Sequence, residues 1–151
     1  MRITLSPGEV SDFDRQAAMA ADLSAFLARH RPGSPTPVPP VPYQINRWAI
    51  SVRLEPDDVD YIGEDLFGTP CRSRAQVVAA WAAALGVPVV KHRWRDGRLE
   101  LAVGADIGKP RRDGTPRTAI GIRTMISPGD DGWIPPGQDP TERDLTAAHH
   151  A

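Results

Sequence analysis

Proton transfer and nucleophilic attack call for histidine, cysteine or converging carboxylates. This chain has four histidines, His30, His92, His149 and His150, and one cysteine, Cys71. His30 falls at the end of a helical pattern, and His149 and His150 fall in a polar terminal stretch. His92 stands between Val90 and Trp94 in an alternating segment, which reads as a core or rim histidine rather than a base. Cys71 precedes a helix N-terminus, a position that lowers a thiol pKa, but pairing it with His92 has nothing in the spacing to support it. Asp57 and Asp58 are adjacent, so they diverge on a strand and on a helix alike. No glycine-rich phosphate loop, GxSxG or HExxH motif occurs. The expectation is a protein that is not an enzyme and has no cofactor.

Metal binding is not expected either. Residues 55–65 carry six acids and no base. Counted from Asp58 as a first ligand, however, position 12 of a calcium loop falls on Thr69, where a bidentate glutamate is required. A lone cysteine also excludes a multi-cysteine metal site and an intramolecular disulfide framework.

The arginines and lysines offer more. Net charge is only −1 over 151 residues, yet the charge is segregated. Residues 91–123 hold nine bases against four acids, flanked by the acidic 55–65 segment and by residues 124–151, which hold five acids and one base. Lys91, Arg93, Arg95 and Arg98 fall on one predicted sheet face, with Arg111 and Arg112 in the loop that follows. Guanidinium forks suit phosphate, so these six residues form a candidate nucleic-acid contact surface. The plainer reading is a solvated face partly neutralised by the protein's own acids. Stacking aromatics are absent from that predicted face, because Trp94 points the other way. No helix-turn-helix, zinc-finger or RNA-recognition signature occurs.

The elements that must carry these residues can be read from period and punctuation. Residues 11–30 form an amphipathic helix with Ser11 as N-cap and Phe13, Ala17, Ala20, Leu23 and Leu27 on one stripe, widened by Met19 and Phe26. Pro32 stops it, and six prolines in residues 32–42 favour a stiff extended spacer; Pro37 to Pro40 also spells a PxxP ligand. Residues 44–54 alternate as a strand, with Tyr43 and Ile45 out of phase with Trp48, Ile50, Val52 and Leu54. Residues 73–86 form a helix capped by Ser73 and ended by Gly86. Asp96-Gly97 reads as a two-residue turn joining strands within residues 87–104, with Trp94 opposite Leu99 and Arg93 opposite Glu100. Residues 118–126 form a further strand with Ile120, Ile122, Thr124 and Ile126 on one side.

The predicted architecture is α+β: an antiparallel β-sheet of about four strands packed on one main helix, with an N-terminal amphipathic helix and a disordered or docked C-terminal tail. Trp48, Trp81 and Trp94 should meet in its core. The divisions are an N-terminal helical arm (1–31), a Pro-rich linker (32–42), an α+β core (43–127) and a Gly/Pro/Asp-rich tail (128–151), with Trp133, Ile134 and Leu145 as the tail's anchors.

No apolar run approaches the roughly 20 residues of a membrane span, and the N-terminus has no signal-peptide core, so the expected location is cytoplasmic with no membrane partner. Ala-, Arg- and Pro-rich usage suggests a high-GC bacterium, a phage or a mobile element. The leading functional reading is a non-enzymatic interaction or assembly protein. It would bind a protein partner or itself, as a homo-oligomer, through its arms, with Phe13, Leu23, Phe26, Leu27 and Trp133 as contacts. The alternative is a nucleic-acid-binding accessory or regulatory protein using the six basic residues above.

Overall fold

Two residues bracket the helix that organises the core. Ser73 is extended (φ −144°, ψ 160°) and its hydroxyl accepts the Gln76 N–H, while Gly86 turns left-handed at φ 70° and returns its own N–H to the Ala82 and Ala83 carbonyls. Between them runs a helix, Arg74–Leu85, with Val77, Val78, Trp81 and Ala82 buried. The computed structural model describes residues 7–47, 49–58, 73–112, 117–139 and 142–144. In these it forms a mixed α/β fold. Helix α1 (Pro7–Arg29) and helix α2 (Arg74–Leu85) accompany strands β1 (Gln44–Ile45), β2 (Ala49–Leu54), β3 (Val90–Arg93), β4 (Leu99–Ile107), β5 (Thr118–Ile126) and β6 (Glu142–Asp144). Trp48, Cys71, Leu145, His149, His150 and most of the acidic 55–65 segment lie outside the described residues.

Helix α1 begins one turn earlier than predicted. Pro7 stands first, where its missing N–H costs nothing, so Ser11 lies within the helix rather than capping it. Met19, Leu23 and Phe26 are buried, and Phe13 is 72% exposed. The proline-rich segment after α1 does not run extended from its start: it turns over residues 31–36, where the Ser34 N–H bonds the Arg31 carbonyl and Gly33 has φ 91°, and beyond the turn Val38, Pro39 and Val41 are buried. Pro39 supplies its carbonyl to the Trp81 indole N–H at 3.1 Å. Phe26 stacks on Trp81 with ring centroids 5.6 Å apart, and Tyr43 meets it edge-on at 6.1 Å. Trp81, fully buried, therefore ties α1, the proline segment and α2 together. Trp94 does not join it: that side chain is 42% exposed.

The strand order is β1-β2-β5-β4-β3-β6. The sheet is not purely antiparallel. β2 runs parallel to β5, and β6 parallel to β3, while the β3–β4 and β4–β5 ladders are antiparallel. The parallel pair arises because β2 leads into α2 and then β3, a crossover rather than a hairpin. The strand predicted over 44–54 is two strands. Asn46 reverses the chain, accepting the Ala49 N–H on its side chain at 2.9 Å, so β1 folds back antiparallel on β2. That reversal explains why Tyr43 and Ile45 fall out of phase with Ile50.

Every buried strand residue lies on one face. Ile50, Val52 and Leu54 of β2 register with Ile120, Ile122 and Thr124 of β5, and Leu101 and Val103 of β4 register with Thr124 and Ile122. Both helices pack on this face.

The hairpin turn differs from the prediction by one residue, and the difference reverses two strand faces. Trp94 N–H bonds the Arg98 carbonyl at 2.9 Å and Gly97 N–H bonds the Trp94 carbonyl at 3.0 Å, enclosing a three-residue loop. Gly97 has φ 88° and no described non-glycine residue has positive φ. A two-residue Asp-Gly turn requires positive φ at both positions, which Asp96 does not adopt. Arg93 consequently faces Leu99, His92 faces Glu100 and Lys91 faces Leu101. Lys91 and Arg93 turn to the helix-covered face, and Val90, His92 and Trp94 turn to the opposite one.

The stretch after β5 is docked as far as Asp139. Arg93, 5% exposed, donates to the Gly97 carbonyl at 3.0 Å and to the Ile134 carbonyl. Its guanidinium carbon lies 5.6 Å from the centre of the Trp133 ring, and the Trp133 indole N–H bonds Gly97 O at 2.9 Å. Lys91 pairs with Asp139. At the start of this segment Arg74 reaches the Met125 carbonyl at 2.6 Å and Asp130 at 3.2 Å.

Candidate functional site

The six basic residues predicted as a nucleic-acid surface do not assemble into one. Lys91 and Arg93 are engaged by the docked C-terminal segment. Arg111 lies 3.2 Å from both Asp22 and Thr118, and Thr118 also bonds Asp22, so Arg111 fastens α1 to the start of β5. Gly108 completes that junction. Its φ is 84°, and a Cβ there would lie 2.7 Å from the Asp22 carboxyl carbon. Arg95 and Arg112 are exposed at loops far apart in sequence. Arg98 is exposed and pairs with Asp96 at 2.6 Å. The Arg98 backbone N–H, with its guanidinium, holds the Asp96 carboxyl below the usual carboxylate range.

The predicted partner contacts fare similarly. Leu23 and Phe26 belong to the protein's own core, Leu27 is half-buried against it, and Trp133 is docked on Arg93. Of the five, Phe13 alone is freely exposed.

A different surface emerges on the sheet face that neither helix covers. Strand alternation places Ala49, Ser51 and Arg53 of β2 there, with Ala119, Gly121, Arg123 and Met125 of β5 and Glu100, Ala102, Gly104 and Asp106 of β4. β3 adds Val90, 40% exposed, and His92, and Trp94 follows on the same side. The centre of this face is nearly bare: Gly104 and Gly121 are direct register partners, flanked by Ala119 and Ser51. Glycine inside a strand weakens it and commonly marks a place where another surface approaches closely.

At one end, the face deepens into an open groove of about 320 Å³ lined by Arg53, Trp94, Arg98, Glu100, Arg123 and Met125. Arg53 and Arg123 are register partners on β2 and β5, so two guanidinium side chains start about one strand spacing apart, roughly 5 Å. Like charges placed directly opposite across a sheet are destabilising. Arg53 has Glu55 at 3.2 Å, both well exposed, and Arg123 has no ion pair among the described residues. Trp94 and Arg98 enter from the hairpin, opposite one another across the bond that closes its loop.

Sequence reasoning counted Arg123 within the basic run but did not place it here, and it passed over Arg53. Both lie in the polar phase of their strands, which was readable. Their adjacency was not, because it depends on a parallel pairing between distant segments.

A second concavity, about 350 Å³, lies between Phe26, Arg29, His30, Leu85, Lys109 and Arg117. Residues at the C-terminal ends of both α1 and α2 line it, and a helix C-terminus disfavours an anion nearby. Arg117 binds the Gly108 carbonyl at 2.6 Å, and His30 Nδ1 lies 2.9 Å from Thr36 O. These contacts serve packing. Among the described residues no cluster of His, Cys, Asp or Glu is placed to hold a metal, and no helix is long and apolar enough to cross a membrane.

No protein-family model, curated protein or solved structure matches this chain.

Proposed function

We propose that this is a non-enzymatic interaction protein whose contact surface is the sheet face that, among the described residues, no helix covers. The observation that carries the reading is the asymmetry of the fold. Both helices pack on one face, while the other presents a bare centre around Gly104 and Gly121, with Val90 exposed near it and Trp94 exposed at the groove end. Exposed apolar side chains grouped on a flat surface are a common mark of an interaction site. Three of the residues lining the groove at its end are arginines, whose guanidinium forks suit the binding of anions.

This reading keeps a binding role for the protein but moves the contact surface away from its arms. Leu23 and Phe26 are engaged in the core, so releasing α1 to reach a partner would expose them at a cost of several kcal/mol, on the order of 2 kcal/mol per buried side chain.

Gly121 offers a direct test. It has no positive φ, and nothing lies within 4 Å of where its Cβ would stand. Gly121→Glu should therefore fold normally and obstruct the face. The expected result is loss of self-association or ligand capture with an unchanged melting temperature. Unchanged association in Gly121→Glu, together with its loss on deleting residues 1–40, would return the contact surface to the arm.

A further inference from the structure

The groove at the end of the open face has the chemistry of a particular ligand. Arg53 and Arg123 are adjacent register partners, Arg98 faces the same groove, and Trp94 stands 42% exposed beside it. Two arginines on neighbouring strands can share an anion, and an exposed indole with no aromatic partner among the described residues offers a stacking plane. Phosphates alone would satisfy the arginines but leave the indole unexplained. An apolar peptide would suit the indole but strand the arginines. A ligand with anionic linkers and planar rings at short intervals satisfies both.

The geometry points to single-stranded nucleic acid as the ligand of this groove, with phosphates held by Arg53, Arg123 and Arg98 and a base stacked on Trp94. The inference rests on the sheet face being the contact surface. The ion pairs that Arg53 and Arg98 make with Glu55 and Asp96 are solvent-exposed, and exposed pairs are weak enough for a phosphate to displace. Arg123 needs no such exchange. Glu100 is the acid among the groove's lining residues, so it tempers affinity for polyanions in general.

Duplexes enclose their bases, so stacking on Trp94 favours an unpaired strand. The groove's volume also suits one or two nucleotides rather than a helix, so the rest of the strand would lie across the bare centre, where Gly104 and Gly121 present no side chain.

The test uses the full chain with a fluorescein-labelled mixed-sequence single strand of roughly a dozen nucleotides, within the span such sites cover, and its duplex form. Polarisation at low salt should show binding to the single strand, weaker binding to the duplex, and a loss with rising salt that corresponds to about two or three phosphates. Arg123→Glu should weaken binding at least tenfold. Trp94→Ala should weaken it roughly five- to a hundredfold, and Trp94→Phe should restore most of it. Because these side chains are exposed, no variant should lose its fold, and Arg123→Glu, which sets an opposite charge beside Arg53, should keep or slightly raise the melting temperature while binding falls. Quenching of tryptophan fluorescence by the strand, absent in Trp94→Phe, gives an independent readout.

Absence of binding at low salt overturns the inference. Binding that ignores Trp94, or that prefers the duplex, also overturns it. If the strand does not bind while Gly121→Glu still abolishes self-association or capture, the ligand assignment fails and the contact face stands. If the strand does not bind and Gly121→Glu also leaves self-association and capture unchanged, both fail.

Discussion

The Arg93 guanidinium lies 5.6 Å from the centre of the Trp133 ring, and both side chains bond the same Gly97 carbonyl. A strand, a turn and the segment after β5 meet at one backbone oxygen. A charged side chain is nearly buried here because carbonyls and an indole face replace its hydration. Trp133→Ala should cost about 1–3 kcal/mol, combining partial burial with loss of the cation–π contact. Arg93→Ala should cost about as much or more, since it removes a nearly buried side chain and takes this donor from the part-buried Ile134 carbonyl, while the Gly97 carbonyl keeps the Trp133 N–H. Chemical denaturation measures the loss, and protease cleavage within residues 127–139 should accelerate in both variants.

Gly97→Ala tests the loop. No atom would crowd the new Cβ, and the strain comes from φ 88° alone. The expected cost is about 1–2 kcal/mol, with Gly97→Asn losing less because asparagine tolerates this region better. Equal stability of Gly97→Ala and wild type would mean that the loop relaxes into another turn.

Trp81 joins three segments, so its truncation should be the most damaging single change among those considered. Trp81→Ala removes a fully buried indole and should cost about 3–5 kcal/mol. Trp81→Phe keeps much of the packing but leaves the buried Pro39 carbonyl without its donor, for a loss of about 1–3 kcal/mol. Thermal unfolding should rank them in that order.

Burial pushes the Tyr43 hydroxyl from its ordinary value of 10.0 up to about 12, with the Val41 backbone offsetting part of the rise. Between those values the unfolded chain releases this proton and the folded chain keeps it, so stability falls as pH rises through that window. Tyr43→Phe should remove this contribution and flatten the alkaline limb, with little change near pH 7. The chain has two tyrosines, so ultraviolet titration of wild type against the variant isolates the late-ionising one.

Local signals carried far in this chain. Ser73 and Gly86 delimit α2 because caps are decided within a few residues. The alternation of Ile120, Ile122, Thr124 and Ile126 identifies β5 and its buried side for the same reason. The hairpin register was less accessible. Both turn types place glycine after aspartate, and the alternation favoured putting Lys91 and Arg93 outside. Their ligands, the Ile134 carbonyl and Asp139, lie more than 40 residues away, and nothing local announces them. The candidate groove was hidden similarly. Arg53 and Arg123 meet only through β2–β5 pairing, and Trp94 reaches the open side only once the register is known.

That same parallel pairing governs the order in which the chain can fold during its synthesis. Thr124 bonds the Leu54 carbonyl across 70 positions. One flank of β2 therefore waits on the ribosome until β5 has emerged, roughly 4–14 s later at ordinary elongation rates. Through that interval Ile50, Val52 and Leu54 form a short, sticky template for neighbouring nascent chains. Arg53 interrupts the template and acts as a gatekeeper before the fold exists. Replacing it with an apolar residue should lower the yield of folded protein from cells more than it lowers the stability of the purified molecule.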